Sequence, residues 1–373
     1  MAVVGARSVM LAAGGTGGHL FPAFALAQEL ARRAIPVDLV TDMRGDRYGG
    51  DFPARAVYRV ASATLSQRSL FGAARTSWTL LRGIAAAFKL LGEVRPGAVV
   101  GFGGYPAFPP LVAAKLRRIP TAVHEQNAVL GRANRMLAKW VTAIATSFEA
   151  TKYLEGPALA RARVTGNPVR DQVIDWSKQS FHAPVREGPF SLLVFGGSQG
   201  AHFFSEILPP TLALLPGEVR ANLFVVQQCR EEDLSRVEAA YKGAGVRAHL
   251  ATFFANLPEE MAKAHLVIGR AGASTVAELT VIGRPAILVP LPHSIDNDQL
   301  QNATRLAESG GAWCIEQKEL TPERLAGGLG RLLSTPESLA QAAAAAKRQG
   351  RPDAVVRLAD LVEGLVGSAE KSA

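Results

Sequence analysis

Short apolar runs alternate with amphipathic segments along the first half of the chain. The runs Ser8–Ala13, Val37–Thr41, Ala98–Val100 and Thr121–His124 predict strands, and Phe21–Arg33 shows the spacing of apolar residues expected for a helix. This alternation is typical of a parallel sheet covered by helices. The first half therefore predicts an α/β domain.

The second half of the chain restarts the same order. The runs Phe190–Phe195, Asn222–Gln227, His265–Ile268 and Pro285–Val289 predict strands, and His202–Leu215 reads as a helix that follows a glycine-rich loop. A strand, glycine loop and helix thus occur twice, about half a chain apart. This weak internal repeat predicts two similar Rossmann-like halves.

The boundary between the halves is predicted at Thr165–Arg170, where the sequence TGNPVR interrupts regular structure. We expect an N-terminal domain over 1–167 and a C-terminal domain over 168–352. The last segment, 353–373, is expected to form a helix that returns to the first domain and to end in a frayed tail.

Length and composition fit this division. A chain of 373 residues exceeds what one hydrophobic core usually supports, so two domains are expected. Two cysteines, Cys229 and Cys314, form no disulfide framework and indicate a reducing compartment. The N-terminal apolar run is short and leads directly into a glycine loop, which predicts no signal peptide. No apolar run is long enough to span a bilayer.

The positive charge is concentrated in the first half. Residues 1–175 hold 22 Lys and Arg against 11 Asp and Glu, whereas residues 176–373 hold 19 against 21. An anionic surface or substrate is therefore expected for the first half, and a membrane, a nucleic acid or a phosphate would each fit.

Leu70–Leu91 combines an apolar face with a basic stripe. A basic amphipathic helix of this kind can lie on an anionic membrane surface. The alternative is an ordinary helix whose apolar face packs in the core. Lys and Arg between positions 115 and 139, with Trp140, would extend a membrane patch. The apolar or small residues are Phe71, Ala74, Trp78, Leu81, Ala85 and Phe88, and the basic residues are Arg68, Arg75, Arg82 and Lys89.

Three glycine-containing loops follow predicted strands. Glycine lets backbone N–H groups approach a phosphate, and the N-terminus of the following helix adds a favourable dipole. Gly14–His19 reads GGTGGH, Gly196–Ala201 reads GGSQGA, and Ala271–Leu279 reads AGASTVAEL. Two such loops on two domains suggest a cleft that holds a diphosphate. In the third, the Glu278 carboxylate can accept hydrogen bonds from a ribose diol, or can simply complement the helix dipole.

The first glycine loop also allows the alternative hypothesis that the protein is a dinucleotide-binding oxidoreductase. Its G-x-G-x-x-G fingerprint would need glycine at position 20, where the chain has Leu20. Asp42, at the end of the second predicted strand, would suit a ribose-binding acid.

Two histidines are candidates for proton transfer. His124–Asn127 reads HEQN at the carboxyl end of a strand, where open α/β sheets bind their ligands. His19 closes the first glycine loop, and an imidazole there could take a proton from an attacking hydroxyl or could serve as a helix-capping or core residue. HEQN is not the zinc motif H-E-x-x-H, because its fifth residue is Ala128. The D-x-D sequence at 296–298 is expected to be a solvated turn, and no bound metal or other cofactor is predicted.

Taken together, the motifs resemble the MurG family of bacterial peptidoglycan GlcNAc transferases. In chain order they are GGTGGHLFPA, GFGGYPA, HEQNA, GNPVR, GGSQGA, RAGAST-x-x-E and Gln-x-x-Asn-Ala, and they span roughly residues 8 to 360. The resemblance implies the GT-B fold, in which two Rossmann-like domains face each other across a cleft. It also implies an inverting mechanism without an essential metal, an N-domain for the acceptor and membrane, and a C-domain for the nucleotide.

The resemblance also implies a reaction. GlcNAc would pass from UDP-GlcNAc to the 4-hydroxyl of MurNAc in undecaprenyl-pyrophosphoryl-MurNAc-pentapeptide (lipid I), which gives lipid II and UDP. The expected location is the cytoplasmic face of the cell membrane, as a peripheral protein, with no nucleic-acid partner. The alternative hypotheses for the function are a GT-B transferase for another lipid acceptor, a UDP-GlcNAc epimerase, and a non-enzymatic membrane scaffold.

The resemblance also implies roles for the residues that occupy the matching motif positions in this chain. His19 is implied as the catalytic base, with Glu125 as the alternative and His124 near the acceptor. The implied substrate-binding residues are Thr16, Gly17, Gly18, Asn127, Arg170, Ser198, Phe254, Ala273, Ser274, Thr275, Val276, Ala277, Glu278 and Gln299. Glu278 would take the ribose hydroxyls, Phe254 would face the uracil through its backbone, and Gln299 would read the sugar hydroxyls. Asp298 and Ala271 depart from the family pattern, which usually has His or Gln and Ser there.

Overall fold

A computed structural model of the chain describes residues 7–14, 17–42, 52–62 and 70–371. By its internal contacts the chain divides into two compact units. Unit 1 comprises Met1–Arg170 with Pro352–Ala373, and unit 2 comprises Asp171–Arg351.

Unit 1 is built on a seven-stranded sheet with the order β3-β2-β1-β4-β5-β6-β7, in which every pairing is parallel. The order reverses between β1 and β4, so the switch point of this doubly wound sheet lies there. The strands are β1 Val9–Ala12, β2 Val37–Thr41, β3 Ala56–Arg59, β4 Ala98–Gly101, β5 Thr121–Glu125, β6 Ala143–Thr146 and β7 Ala162–Val164.

Helices cover both faces of this sheet. Along β1, Val9 and Leu11 belong to one apolar core and Met10 and Ala12 to the other, as expected for a strand buried on both sides. The helices are α1 Gly17–Arg32, α2 Leu70–Val94, α3 Phe108–Leu116 and α4 Arg132–Leu137, with 3-10 turns at Tyr105–Ala107 and Gly156–Arg161 and the C-terminal helix Ala354–Lys371.

Unit 2 repeats the plan with a six-stranded parallel sheet in the order β10-β9-β8-β11-β12-β13. Its switch point lies between β8 and β11. The strands are β8 Phe190–Phe195, β9 Leu223–Gln228, β10 Arg247–Ala251, β11 Leu266–Gly269, β12 Ala286–Leu288 and β13 Ala312–Cys314.

Nine helices accompany this sheet among the described residues. They are α5 Asp171–Trp176, α6 Gly197–Ala213, α7 Gly217–Asn222, α8 Leu234–Gly243, α9 Leu257–Lys263, α10 Ala273–Ile282, α11 Asp298–Glu308, α12 Pro322–Ser334 and α13 Pro336–Gln349, with 3-10 turns at Glu231–Asp233, Ile295–Asn297 and Gln317–Glu319. The C-terminal helix of unit 1 is then α14. Within the described ranges no helix is both long and apolar enough to cross a membrane.

The strands predicted from the sequence are present, and none of their bounds shifts by more than one residue. β3, β6, β7, β10 and β13 were not predicted. Four of these, β3, β7, β10 and β13, are edge strands, and β6 lies next to an edge; all are short.

The C-terminal helix α14 packs on unit 1, in contact with α1. Leu358, Ala359 and Val362 are completely buried in the core that also contains Leu26 and Leu30 of α1. At the rim, the Arg33 guanidinium pairs with Asp360 at 2.7 Å and Glu363 at 2.5 Å. Apolar burial therefore supplies most of the docking energy, because such half-exposed ion pairs contribute little.

We predict that Leu358→Ala lowers the free energy of unfolding by about 2–5 kcal/mol, because it leaves a cavity beneath α14. Val356→Ala on the same helix is the matched control, since Val356 is 41% exposed and its truncation leaves no cavity. Urea-induced unfolding followed by circular dichroism measures both. An equal loss in the two variants would contradict the packing of α14 described above.

Candidate active site

The glycine motifs follow the strands that flank the two switch points. In unit 1, GGTGGH follows β1 and GFGGYPA follows β4; in unit 2, GGSQGA follows β8 and RAGAST follows β11. Carboxyl ends of strands at a switch point are where open α/β sheets bind ligands. Each unit therefore presents a pair of loops at the expected place.

His19 lies in the first turn of α1, half-buried, against the loop that follows β4. Gly103 and Gly104 have φ angles of +84° and +69°, a region that favours glycine. A Cβ on either residue would come within 3.4 Å of the His19 ring. Two glycines of the GFGG sequence thus let the backbone lie flat against this imidazole. Gly17 and Gly18 open the same helix, whereas Thr16 lies outside the described residues.

His124 is completely buried at the end of β5. Its Nε2 lies 2.9 Å from the carbonyl oxygen of Gly166, so Nε2 must carry the proton and donate it. Its Nδ1 then accepts from the Gln126 side-chain amide at 3.1 Å. Burial lowers the pKa of His124 to about 4, although the Gly166 carbonyl opposes this shift. Both nitrogens are occupied within the fold, and this argues against His124 as the base.

Glu125 is also buried, and its carboxylate accepts four hydrogen bonds. The donors are Gly131 N at 2.8 Å, Asn134 Nδ2 at 2.8 Å, Asn127 N at 3.1 Å and Asn127 Nδ2 at 3.3 Å. Burial raises the pKa of Glu125, and these hydrogen bonds counteract the rise. The carboxylate thereby fixes the loop that begins at Asn127 and the start of α4, where Asn134 lies. A carboxylate with four donors is poorly placed to take a further proton from a substrate.

The remaining predicted residues of unit 1 surround this loop and α1. Asn127 is half-buried and donates to Glu125. The Arg170 guanidinium lies 4.5 Å from the ring centroid of Phe21 on α1. Asn134, which the sequence did not single out, connects Glu125 with the loop after β4. Its Nδ2 donates to Glu125, and it lies 3.4 Å from the position that a Cβ on Gly103 would occupy.

In unit 2, Ala273, Ser274, Thr275, Val276, Ala277 and Glu278 form the first turns of α10. Ser274 Oγ is buried without a hydrogen-bond partner, and Glu278 is 5% exposed. Asn302, the asparagine of the Gln-x-x-Asn-Ala motif, to which the sequence analysis assigned no role, donates to the Ala271 carbonyl oxygen at 3.1 Å and so holds the start of this loop. Ser198 lies in the first turn of α6, where the structure does not describe its side chain.

Arg270, the first residue of the RAGAST motif, is a buried cation directly before this loop, and the sequence analysis assigned it no role. It is 6% exposed and donates to the carbonyl oxygens of Val289 and Pro290 and to Gln317 Oε1. Burial lowers its pKa to about 10, so it remains charged at neutral pH. A buried positive charge beside a glycine loop at a helix N-terminus would favour an anion such as phosphate.

Gln299 lies in the first turn of α11, after the loop that follows β12. Its Oε1 accepts from Leu291 N at 3.0 Å, which leaves its amide NH2 to donate to a ligand. The adjacent Asp298 carboxylate accepts from Gln299 N at 2.7 Å, and burial raises its pKa. Phe254, after β10, is 8% exposed and packs edge-on against His249. Within the described ranges no cluster of three or more His, Cys, Asp or Glu could hold a metal ion.

The long helix α2 turns an apolar stripe outward. Trp78, Leu81 and Phe88 are 64%, 59% and 40% exposed, and Ala85 is exposed beside them. The core is instead contacted by a different face, which includes Leu80, Ala87 and Leu91. The alternative that the predicted apolar face packs in the core is therefore wrong for these residues. Arg75, Arg82 and Lys89 are exposed alongside, while Arg68 and the side chains of Phe71 and Ala74 lie outside the described set.

Comparison with known proteins identifies the family. The N-terminal domain model of glycosyltransferase family 28 matches residues 9–146, and the C-terminal domain model matches residues 191–358. A UDP-N-acetylglucosamine--N-acetylmuramyl-(pentapeptide) pyrophosphoryl-undecaprenol N-acetylglucosamine transferase of Methylobacterium nodulans is 54% identical over 357 residues, covering 95% of each chain.

Solved structures agree on the fold. The crystal structure of Acinetobacter baumannii MurG superposes with a TM-score of 0.78 at 29% identity, covering 96% of this chain and 99% of that one. A UDP-GlcNAc 2-epimerase from Neisseria meningitidis, bound to UDP-GlcNAc, reaches a TM-score of 0.68 at 13% identity, covering 96% and 100%, and shows likeness of fold alone.

We predict that His124 makes the stability of the protein depend on pH. The pKa is 6.5 for an ordinary histidine and about 4 in the folded state, so the unfolded chain binds more protons between these values. The free energy of unfolding should fall by up to about 3 kcal/mol as the pH decreases from 6.5 to 4, with no contribution from His124 above 6.5.

A His124→Gln variant lacks this titration and should show a correspondingly weaker decline in urea unfolding at pH 7, 5.5 and 4.5. The raised pKa of Glu125 makes the free energy of unfolding change with pH in the opposite direction. Glu125 is present in both proteins, so its contribution largely cancels when the two pH dependences are compared. Exposed His182→Gln is the control and should behave as the wild type. A decline as steep in His124→Gln as in the wild type would rule out a neutral buried His124.

The parallel sheets and the structural likeness identify the two Rossmann-like units as a GT-B fold. With both domain models matched and identities near half over almost the entire chain, this hexosyltransferase belongs to the MurG family within glycosyltransferase family 28.

Proposed function

We propose that this enzyme transfers GlcNAc from UDP-GlcNAc to the 4-hydroxyl of MurNAc in undecaprenyl-pyrophosphoryl-MurNAc-pentapeptide, in peptidoglycan biosynthesis. The observation that carries the proposal is the near-complete match to relatives that bear this activity in their names, 50–54% identical over 95–96% of the chain. The paired glycine loops at the switch point of each unit support it.

Unit 2 supplies the donor site in this proposal. The N-termini of α6 and α10, with Ser198 and Ser274, would hold the diphosphate, because backbone N–H groups and helix dipoles favour anions there. Glu278 would accept hydrogen bonds from the ribose diol, the backbone at Phe254 would face the uracil, and the Gln299 amide NH2 would donate to a sugar hydroxyl. Thr16, Gly17, Gly18, Asn127 and Arg170 of unit 1 would complete the donor contacts.

His19 is the proposed general base. The MurNAc 4-hydroxyl oxygen forms a bond to the anomeric carbon of GlcNAc while the bond from that carbon to the β-phosphate oxygen breaks. The hydroxyl proton passes to His19, and UDP leaves with the electron pair, stabilised by the N–H groups of the loops. Compared with buried His124 and Glu125, half-buried His19 is better placed to reach a substrate.

The experiment that tests the function is release of UDP from UDP-GlcNAc, measured with and without lipid I. We expect release only with the acceptor, and GlcNAc in the lipid product. Activity with a diacylglycerol acceptor instead would indicate another transferase, and conversion of UDP-GlcNAc without acceptor would indicate an epimerase.

A Glu278→Ala variant tests whether the proposed nucleotide site is used or whether the protein is a scaffold whose site residues are idle. Loss of a hydrogen-bonded carboxylate should weaken UDP binding about tenfold or more, since such bonds to charged groups contribute about 1.5–3 kcal/mol. Glu308→Ala, at the opposite end of α11 from Gln299, is the control. An unchanged UDP affinity in Glu278→Ala would refute the ribose assignment.

We further propose that the enzyme binds an anionic membrane surface through α2, as a peripheral protein of the cytoplasmic face. The exposed Trp78, Leu81 and Phe88 would enter the interface, while Arg75, Arg82 and Lys89 would meet lipid phosphates. The Arg117 guanidinium lies 3.9 Å from the Phe88 ring centroid, and the neighbouring Leu116 is 64% exposed. The patch therefore continues onto α3.

We predict that the double variant Trp78→Ser and Leu81→Ser binds phosphatidylglycerol-containing vesicles at least about tenfold more weakly, because it removes the apolar area that would enter the bilayer. Vesicle sedimentation measures the effect. Val185→Ser in unit 2 is the control, since Val185 is 77% exposed and belongs to the half of the sequence without excess positive charge. Equal binding by all three proteins would refute this surface.

A further inference from the structure

Gln228 is the last residue of β9 and lies between two loops of unit 2. On one side is the turn that leads from β8 into α6, which begins at Gly197. On the other is the segment after β10, which begins at Thr252 and continues into Phe253 and Phe254. These are the loops to which the proposed function assigns the diphosphate and the uracil.

The side-chain amide of Gln228 contacts both loops at once. Its Oε1 accepts a hydrogen bond from Gly197 N at 3.0 Å, and its Nε2 donates one to the Thr252 carbonyl oxygen at 3.1 Å. The partners determine the orientation of the amide, because a backbone N–H only donates and a carbonyl only accepts. A glutamate would offer Thr252 no donor, a lysine would offer Gly197 no acceptor, and a methionine would offer neither.

The contact with Gly197 determines which groups of α6 remain for a ligand. The first four N–H groups of a helix have no partner within it. No side chain at the N-cap, Gly196, can supply one, and Gly197 itself has a φ of +63°, which favours glycine. Gln228 takes the N–H of Gly197 and leaves the following N–H groups of the first turn for phosphate oxygens.

The contact with Thr252 reaches the second loop where it leaves the sheet. Backbone pairing between the strands ends with Cys229 N donating to Ala251 O at 3.0 Å, so the Gln228 amide extends the connection by one residue. Two positions further along the chain, Phe254 packs against His249. Movement of either loop alone would therefore break a bond to the same amide.

We infer that Gln228 is a positioning residue for the donor nucleotide, whose amide ties the diphosphate loop to the uracil loop so that base and phosphates are recognised together. The inference rests on the proposed role of unit 2 as the donor site. Gln228 need not touch the nucleotide, since it acts through the two loops.

Gln228→Met tests this, because methionine keeps the approximate volume and removes both hydrogen bonds. We expect the Kd for UDP, measured by titration calorimetry, to rise about tenfold, which corresponds to about 1.4 kcal/mol. The KM for UDP-GlcNAc should rise similarly, while kcat changes by less than about threefold, because the loss falls on binding common to ground and transition states. Exposed Gln349→Met on α13 is the matched control and should leave all three quantities unchanged.

Amide hydrogen exchange of the ligand-free protein supplies a second readout. In Gln228→Met, exchange should accelerate in peptides that cover 196–201 and in those that cover 252–256. Should this variant fail to fold, Gln228→Glu keeps the acceptor for Gly197 N and removes only the donor to Thr252. In that variant we expect faster exchange at 252–256 and weaker UDP binding.

Three results would overturn the inference. The first is an unchanged Kd for UDP in folded Gln228→Met, or in Gln228→Glu where that variant replaces it. The second is faster exchange at 196–201 alone in Gln228→Met, which would show that the amide serves only one loop. The third is a wild-type protein that binds no UDP, which would overturn the proposed donor site and this inference with it. The first two leave the donor site standing, so the two failures are distinguishable.

Discussion

In both units every strand pairing that the structure describes is parallel, and this direction determines where chemistry can occur. Parallel strands bring all their carboxyl ends to one edge, and the reversal of strand order opens a crevice there. The glycine motifs after β1, β4, β8 and β11 all lie at these points. Glycine is favoured at Gly103 and Gly104 because both have positive φ angles, and the backbone there lies against the His19 ring. The remaining polar groups at these edges either hold the loops by hydrogen bonds or are proposed to meet a ligand.

Burial separates these two tasks. In unit 1, His124 and Glu125 resemble catalytic residues in sequence, yet each satisfies its hydrogen bonds within the protein: His124 with Gly166 and Gln126, and Glu125 with the loop that it anchors. Buried polar groups that find internal partners fix backbone position. In unit 2, Asn302 and Gln228 do the same for loops that are proposed to bind the nucleotide. Precise loops are thus built from polar side chains that need not contact substrate.

The sequence predicted the strands whose apolar runs end in glycine motifs, because both signals are local. It missed β10, whose residues Arg247, Ala248 and His249 are exposed, since an edge strand needs no apolar run. It left the orientation of α2 open, because apolar residues occur on two faces of that helix and only packing decides which face is buried. The sequence also could not predict that His124 is buried and neutral, because its hydrogen-bond partner Gly166 lies 42 residues further along the chain.

The central claim is that His19, rather than either buried group of the HEQN segment, takes the proton of the acceptor hydroxyl. The most direct measurement is the single-turnover rate of GlcNAc transfer to lipid I in His19→Gln and Glu125→Gln, with UDP affinity determined for each. Loss of a general base should slow transfer about 10²- to 10⁴-fold in His19→Gln with little change in UDP affinity. Glu125→Gln keeps an acceptor oxygen for the loop and should retain more activity. Near-normal transfer in His19→Gln, with a larger loss in Glu125→Gln at unchanged UDP affinity, would contradict the account.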